Sequence, residues 1–226
     1  MKAIVSLSGG MDSTTVLAQA IEEGRDVLAF GFCYGSKHNQ YENKAARDVA
    51  DHYSVPFELI DFTDIASHFK SDLLKSGGSI PEGHYEQDNM SKTVVPARNI
   101  IFASVLAGIA WSRDASEIWL GIHQGDHAIY PDCRPGFFHA MNVAVQEGTD
   151  YRVGLVAPFL SGSKTTIIKR GLEIGVPYAF TRTCYKDQPV ACGKCGACVE
   201  RREAFANNGV TDPVDYEYTG PLPVKP

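Results

Sequence analysis

The apolar and polar positions of the first 62 residues predict three strands separated by two helices. Short apolar runs have the length of buried strands, and the polar stretches between them place apolar side chains at helical spacing. The strands are predicted at about 1–7, 26–33 and 57–62, and the helices at about 12–23 and 37–53. This alternating order predicts a parallel sheet with right-handed crossovers, whose ligands bind at the carboxyl ends of the strands.

The remaining chain continues the alternation and then changes character. Further elements are predicted as a helix at 96–113, a strand at 117–122, a helix at 137–146, a strand at 153–156 and a helix at 163–174. Residues 75–95 are too long and polar for a plain connection and predict a lid or a partly disordered loop. The pattern predicts an α/β fold, a Rossmann-like doubly wound parallel sheet in residues 1–180. A small cysteine-rich segment, residues 181–226, follows it, with a short helix predicted from Cys198 to Phe205.

The composition narrows the classes of protein to consider. The 226 residues are 44% hydrophobic and 21% charged, which is enough to bury a sizeable core. A net charge of −6 argues against broad binding to nucleic acid or to an anionic membrane. We find no apolar run long enough to cross a bilayer and no signal peptide before the first strand. Six cysteines without a secretory signal favour a cytoplasmic protein whose thiols bind metal.

The segment from Ser8 to Ser13, Ser-Gly-Gly-Met-Asp-Ser, joins the first strand to the first helix and has the features of an anion site. Two glycines allow the backbone to approach a ligand closely, and the helix that follows directs free N–H groups toward the same point. The segment resembles the S-G-G-x-D-S signature of the PP-loop ATP pyrophosphatases, while a Walker A loop and a dinucleotide fingerprint are both absent. The alternative is an ordinary glycine-rich turn.

That resemblance implies an ATP site formed by the loop and the start of its helix. The residues expected to bind the nucleotide are Ser8, Gly9, Gly10, Met11, Asp12, Ser13, Thr14 and Thr15.

Four cysteines near the C-terminus have the spacing of a metal site. They follow the pattern C-x7-C-x2-C-x2-C, at Cys184, Cys192, Cys195 and Cys198. A closed set of four sulfurs favours one structural zinc ion. A [4Fe–4S] cluster and a redox-active C-x-x-C pair remain as alternatives.

Two basic residues stand at predicted helix starts, where a cation opposes the helix dipole. Arg98 follows Val95-Pro96-Ala97, and Lys164 follows Pro158 to Ser163. A bound phosphate would remove the penalty, so both are candidate phosphate ligands. The alternative for each is an exposed surface side chain.

The loop after the predicted strand at 117–122 concentrates polar side chains at a carboxyl end of the sheet. Asp126 can accept two hydrogen bonds from a purine-like amino-imino edge, and Arg134 can pair with a substrate carboxylate. The alternative is a polar surface loop.

Taken together, these motifs resemble the 7-cyano-7-deazaguanine synthase family, QueC, over nearly the whole chain. The resemblance rests on four segments: residues 8–13, 95–99 and 130–134, and the four cysteines in order. After the second strand the family usually reads Tyr-Gly-Gln-Arg-His, whereas this chain reads Tyr34-Gly35-Ser36-Lys37-His38. Lysine lacks the arginine fork, so the contacts of Lys37 are an open question.

The resemblance implies an ATP-dependent synthesis of a nitrile from 7-carboxy-7-deazaguanine and ammonia. The carboxylate is activated first and the amide second. It implies ATP with Mg²⁺, one structural Zn²⁺ per chain and a homodimer. Asp12, Arg98 and Lys164 would serve catalysis. The deazaguanine would be held by Asp126, Tyr130, Asp132 and Arg134.

Two other functions remain as alternatives. A PP-loop ligase or sulfur transferase acting on RNA usually carries an added basic domain, which this acidic chain lacks. A zinc-ribbon binding module with a degenerate nucleotide fold is argued against by the intact Gly9, Gly10 and Asp12.

Overall fold

A computed structural model of the chain describes residues 1–125 and 129–225. Its centre is a parallel five-stranded sheet. The strands are β1 (Lys2–Ser6), β2 (Asp26–Cys33), β3 (Phe57–Asp61), β4 (Glu117–Trp119) and β5 (Gly154–Val156). The strand order β3-β2-β1-β4-β5 is that of a doubly wound fold, so the predicted architecture is confirmed.

Seven helices accompany the sheet in the described residues. They are α1 (Met11–Glu22), α2 (Asn39–His52), α3 (Thr63–Ala66), α4 (Arg98–Ser112), α5 (Pro135–Gly148), α6 (Lys164–Glu173) and α7 (Gly196–Asn207). Six of them were predicted, with ends that differ by one to a few residues. The single-turn α3 has no apolar period long enough to be recognised in the sequence.

Both faces of the sheet are covered because side chains alternate along each strand. Ala3, Val5 and Leu7 pack with the apolar faces of α1 and α2, and Ile4 packs on the other side with Leu106 of α4. Burial on both faces explains why the strands read as continuous apolar runs.

Residues 88–112 have the length and apolar composition of a membrane span, although the apolar runs of the sequence predicted none. A 3-10 helix at Asp88–Thr93 and α4 are separated there by Ala97, whose φ of 55° is left-handed. The 15 residues of α4 extend about 22 Å, less than the roughly 30 Å of a bilayer core. Because its buried face lies on the sheet, we interpret α4 as a core helix.

The described part of the polar stretch at 75–95 is folded. Ile80, His84 and Met90 are buried, and Glu82 bridges to Cys195. This stretch therefore joins the sheet domain to the cysteine-rich segment.

The cysteine-rich segment packs on the sheet domain through α7. Phe205 of α7 belongs to the same hydrophobic cluster as Met11 and Ala18 of α1. Buried Arg201 of α7 forms an ion pair with Asp212, at 2.8 Å between Nε and Oδ2. These contacts connect the C-terminal residues to the helix that follows the first strand.

Candidate functional site

The loop between β1 and α1 has a conformation that depends on glycine. Gly9 has a left-handed φ of 78°, and a Cβ there would clash with the backbone of Ala46 and lie 2.8 Å from the carbonyl oxygen of Glu42. The loop is closed by the two serines, because the Ser8 amide and hydroxyl lie 3.2 and 3.1 Å from the Ser13 hydroxyl. The loop therefore holds its backbone in one shape, with α2 directly behind it.

Three of the predicted nucleotide ligands have side chains directed into the protein. Met11 and Thr14 are fully buried, and Thr15 donates a hydrogen bond to the Met11 carbonyl while contacting the Tyr178 hydroxyl at 2.8 Å. Their side chains do not line the cavity in front of the loop, whereas those of Ser8, Asp12 and Ser13 do. Met11, Thr14 and Thr15 support the loop from behind.

The cavity lies between the carboxyl ends of β1 and β4, where the strand order reverses. This is the position at which doubly wound sheets bind ligands. The two ends approach closely, since a Cβ on Gly121 would lie 3.2 Å from the Ser13 amide nitrogen. The cavity has a volume of about 220 Å³. The side chains that line it include Ser8, Asp12, Ser13, Tyr34, His38, Glu42, Arg98, Tyr130, Lys164, Arg182, Tyr185 and Glu200.

Lys164 lies at the centre of a buried charge network in this cavity. Its Nζ is 2.7 Å from Glu200 Oε2 and 3.2 Å from Asp12 Oδ2, and both Lys164 and Glu200 are more than 90% buried. His123 Nε2 lies 3.8 Å from the same Asp12 oxygen, and His123 Nδ1 accepts the Gly125 amide at 3.0 Å. Asp12 and Lys164, which were each predicted to serve catalysis, thus form an ion pair, and their catalytic role stays a prediction.

Arg98 begins α4 after the left-handed Ala97, and its side chain reaches the cavity. It donates a hydrogen bond from Nη1 to the Tyr34 hydroxyl at 3.3 Å and lies 5.7 Å from the Tyr34 ring centroid. Burial raises the pKa of Tyr34 to about 12, so this phenol stays neutral beside the guanidinium. Arg98 is thus a half-buried cation at a helix start that lines the cavity, and its role as a phosphate ligand stays a prediction.

The predicted substrate loop is only partly in the cavity. Asp126 lies outside the described residues. Tyr130 lines the cavity, and its hydroxyl is 2.8 Å from that of Thr93. Asp132 accepts the Asn99 amide at 2.9 Å, which caps α4, and exposed Arg134 precedes α5. Asp132 and Arg134 are not among the side chains that line the cavity.

Lys37, where the family usually has arginine, lies away from the cavity. Its Nζ donates hydrogen bonds to the carbonyls of Asp72 at 2.9 Å, of Gly77 at 3.3 Å and of Leu74. Burial lowers its pKa. Lysine suits this position because three carbonyls converge on one ammonium group, and no planar pairing is needed.

The four cysteines form a compact buried cluster. Their sulfur atoms all lie within 4.8 Å of one another, and those of Cys192 and Cys198 are 3.9 Å apart. Hydrogen bonds from the other three thiols lower the pKa of Cys192 below its ordinary value. Four converging sulfurs, one of them readily ionised, could bind a metal ion, as the spacing predicted.

Three groups of the site, two buried and one half-buried, were given no role from the sequence. Glu200 lies two residues after Cys198, and only the docking of α7 brings it to Lys164. His38 and Glu42 are four residues apart and form a pair, at 3.3 Å between Nε2 and Oε2. The helical i, i+4 spacing of His38 and Glu42 was the available signal.

The chain matches a family model described as "Queuosine biosynthesis protein QueC" over residues 2–209. It is similar to the 7-cyano-7-deazaguanine synthase of a Marinomonas species, with 48% identity over 216 residues, 96% of this chain and 98% of that protein. The 7-cyano-7-deazaguanine synthase of Alteromonas mediterranea is 46% identical over 214 residues, 95% of this chain and 98% of that protein.

Among solved structures, the U34-tRNA thiolase NcsA from Methanococcus maripaludis, determined with its [4Fe-4S] cluster, has a similar fold. The TM-score is 0.50 at 14% identity, and the match covers 90% of this chain and 64% of that chain. A likeness at this identity establishes the shared fold alone.

Proposed function

This chain belongs to the QueC family of queuosine biosynthesis proteins, and from that premise we propose that it is a 7-cyano-7-deazaguanine synthase. In this reaction 7-carboxy-7-deazaguanine and ammonia are converted to the nitrile with consumption of ATP. The observation that carries the proposal is the convergence of the glycine loop, Asp12, Arg98 and Lys164 on one cavity at the switch point of the sheet.

The first step proposed is activation of the carboxylate, which is otherwise a poor electrophile. A carboxylate oxygen attacks the α-phosphorus of ATP, and pyrophosphate leaves. The loop from Ser8 to Ser13 binds the pyrophosphate through backbone N–H groups, while Arg98 and Lys164 neutralise its charge. Ammonia then displaces AMP to give the amide, and a second activation at the amide oxygen, followed by elimination, gives the nitrile.

A magnesium ion fits beside Asp12. The carboxylate oxygen Oδ1 of Asp12 is buried without a hydrogen-bond partner among the described residues, which leaves a hard oxygen ligand facing the loop. Bound there, Mg²⁺ would neutralise charge on the phosphate oxygens.

For the substrate we propose that Tyr130 lies against the deazaguanine and that Asp126 pairs with its amino-imino edge. Asp132 and Arg134 complete the proposed set. Asp132 positions the start of α4 by capping it, and Arg134 reaches the carboxylate of the substrate by a change of side-chain conformation.

The four-cysteine site is proposed to hold one structural Zn²⁺. A tetrahedral ion with Zn–S bonds of about 2.3 Å places its sulfurs about 3.8 Å apart. The 3.9 Å between Cys192 and Cys198 fits that spacing. The four irons of a [4Fe–4S] cluster occupy separate corners of a cube, so their cysteines must stand further apart. Elemental analysis that finds iron and sulfide in place of zinc would reject this assignment.

We further propose a cytoplasmic homodimer that uses small-molecule substrates, without nucleic acid or membrane partners. Exposed Ile100 and Trp111 of α4 and Val143 of α5 supply apolar surface for a second copy. Sedimentation that gives the mass of one chain would reject the dimer.

The test of the function is conversion of the carboxylate, labelled with ¹⁸O in the carboxyl group, in the presence of MgATP and ammonium. We expect nitrile by mass spectrometry and label in AMP, because the carboxyl oxygen leaves on the α-phosphate. Label in inorganic phosphate with ADP would reject adenylation, and the absence of nitrile would reject the synthase. Lys164→Met should abolish turnover, whereas Lys169→Met, an exposed change on the same helix, should not.

A further inference from the structure

The paired side chains of His38 and Glu42 face the cavity, and the reaction outlined above gives them no task. His38 is 97% buried, and its Nε2 lies 3.3 Å from Glu42 Oε2. Its other ring nitrogen, Nδ1, is buried without a hydrogen-bond partner among the described residues. Buried polar atoms are nearly always hydrogen-bonded in native proteins, so an unpartnered imidazole nitrogen on a residue of the cavity wall indicates a position for a ligand.

The pair borders the glycine loop. The first turn of α2 packs behind this loop, because a Cβ on Gly9 would lie 2.8 Å from the Glu42 carbonyl oxygen. Aromatic rings flank the imidazole. The Tyr185 ring centroid is 5.3 Å from that of His38, and buried Tyr34 lines the same wall. A carboxylate, an imidazole and aromatic faces together suit a small nitrogen cation.

We propose that His38 and Glu42 form the site where the nitrogen donor binds as ammonium and gives up a proton. The proposal rests on the synthase function above. Ammonium has no lone pair and cannot attack carbon, so a base must remove one proton. Imidazole is the side chain that exchanges a proton near neutral pH. Nε2 faces the Glu42 carboxylate, whose Oε2 lies 3.3 Å away, so Nδ1 is the ring nitrogen left for the ligand.

The step balances without a further reactant. Nδ1 of His38 takes one proton from ammonium, and the freed electron pair forms a bond to the carboxyl carbon of the adenylate. The bond from that carbon to the phosphate-linked oxygen breaks, and AMP leaves with its electron pair. The departing phosphate takes the second proton lost by nitrogen, and the amide remains.

Other charged and titratable groups face the pair from each neighbouring element. Tyr34 stands at the end of β2, Tyr185 and Arg182 belong to the C-terminal segment, and Arg98 of α4 lies beyond Tyr34. Glu42 is the charged group that lies 3.3 Å from the imidazole, so its variant is tested together with that of His38.

The experiment separates adenylation from the nitrogen step. Carboxylate-dependent exchange of labelled pyrophosphate into ATP, without ammonium, reports the first half-reaction. Hydroxylamine, which is largely unprotonated at neutral pH, traps the adenylate as a hydroxamate without needing a base. Amide and nitrile formation from ammonium report the full sequence. The variants are His38→Gln, Glu42→Gln and, as a matched control, His68→Gln at an exposed position.

For His38→Gln we expect kcat/KM for ammonium to fall roughly 10²- to 10⁴-fold at neutral pH, the usual contribution of a general base. The loss should shrink as pH rises and free ammonia becomes abundant, while exchange and hydroxamate formation stay near the wild-type level. Glu42→Gln should show a smaller loss of the same kind. If His38→Gln fails to fold, kcat/KM for ammonium is compared between Glu42→Gln and the wild-type protein.

Two results would overturn the assignment. One is unchanged use of ammonium in both variants, and the other is a raised KM for ATP or for the carboxylate, which would place another substrate on the pair. Absence of carboxylate-dependent exchange in the wild-type protein would instead reject the synthase function, and this is measured first.

Discussion

Replacing Gly9 by alanine tests whether the glycine loop has the shape described. Gly24→Ala is a matched control, because Gly24 has a similar φ of 75° but open space around its missing Cβ. Both variants carry the backbone strain of a left-handed alanine, about 1–2 kcal/mol. Only Gly9→Ala adds a clash with the backbone of Ala46 and Glu42, which is costly because helix α2 must move as a unit. Overpacking of this kind costs about 1–3 kcal/mol.

We therefore expect the free energy of unfolding to fall by about 1–2 kcal/mol for Gly24→Ala and by about 2–5 kcal/mol for Gly9→Ala. Urea titration followed by circular dichroism measures both, with the slope checked for two-state behaviour. Gly9→Ala should also abolish the rise in melting temperature caused by MgATP, because the Gly9 carbonyl accepts the Arg182 amide at 2.8 Å, and Arg182 and the adjacent Gly10 line the cavity.

Equal destabilisation of the two variants would show that the Gly9 position has room for a methyl group. That result would contradict the close contact with the backbone of Ala46 and Glu42. If MgATP raised the melting temperature of Gly9→Ala as much as that of the wild-type protein, the loop would not take part in nucleotide binding. Either result would refute the reasoning.

The remaining predictions concern the buried charges, the cysteines and the response to alkaline pH. Lys164→Met leaves the Asp12 and Glu200 carboxylates facing each other, so we expect about 3–5 kcal/mol lower stability at neutral pH. Urea titration should show that the double variant Lys164→Met/Glu200→Gln regains part of the lost stability. A double variant as unstable as Lys164→Met would contradict the proposed charge network. Cys195→Ser should lower the bound metal measured by elemental analysis and the unfolding temperature; full metal content would exclude Cys195 as a ligand. The pKa of Tyr34 is 10.0 in the unfolded chain and about 12 in the folded protein. Its contribution to the free energy of unfolding is therefore complete below pH 10 and declines by about 2–3 kcal/mol as the pH rises through 12. Tyr34→Phe should flatten alkaline unfolding over that interval, and an unchanged profile would refute the assignment.

Much of the fold was determined by local sequence signals. The apolar runs of β1, β2 and β3 and the periodic helices between them were recognisable because burial on both faces, or on one helical face, leaves a direct trace in residue order. The glycine loop and the cysteines were recognisable for a related reason. Their chemistry depends on residue types at fixed short spacing, which the sequence displays without knowledge of the fold.

The pairing of distant side chains was decided only by the tertiary structure. Lys164 meets Glu200 because α7 docks beside α6, and Asp132 caps α4 from 33 residues away. Lys37 was recognised as a departure from the family pattern, yet the carbonyls that it binds come from a loop 35 to 40 residues further along the chain. Such contacts join segments that share no local pattern. The sequence by itself therefore determined the strands, six of the helices, the glycine loop and the cysteine cluster, while the packing of helices and loops around the switch point decided which charges face one another.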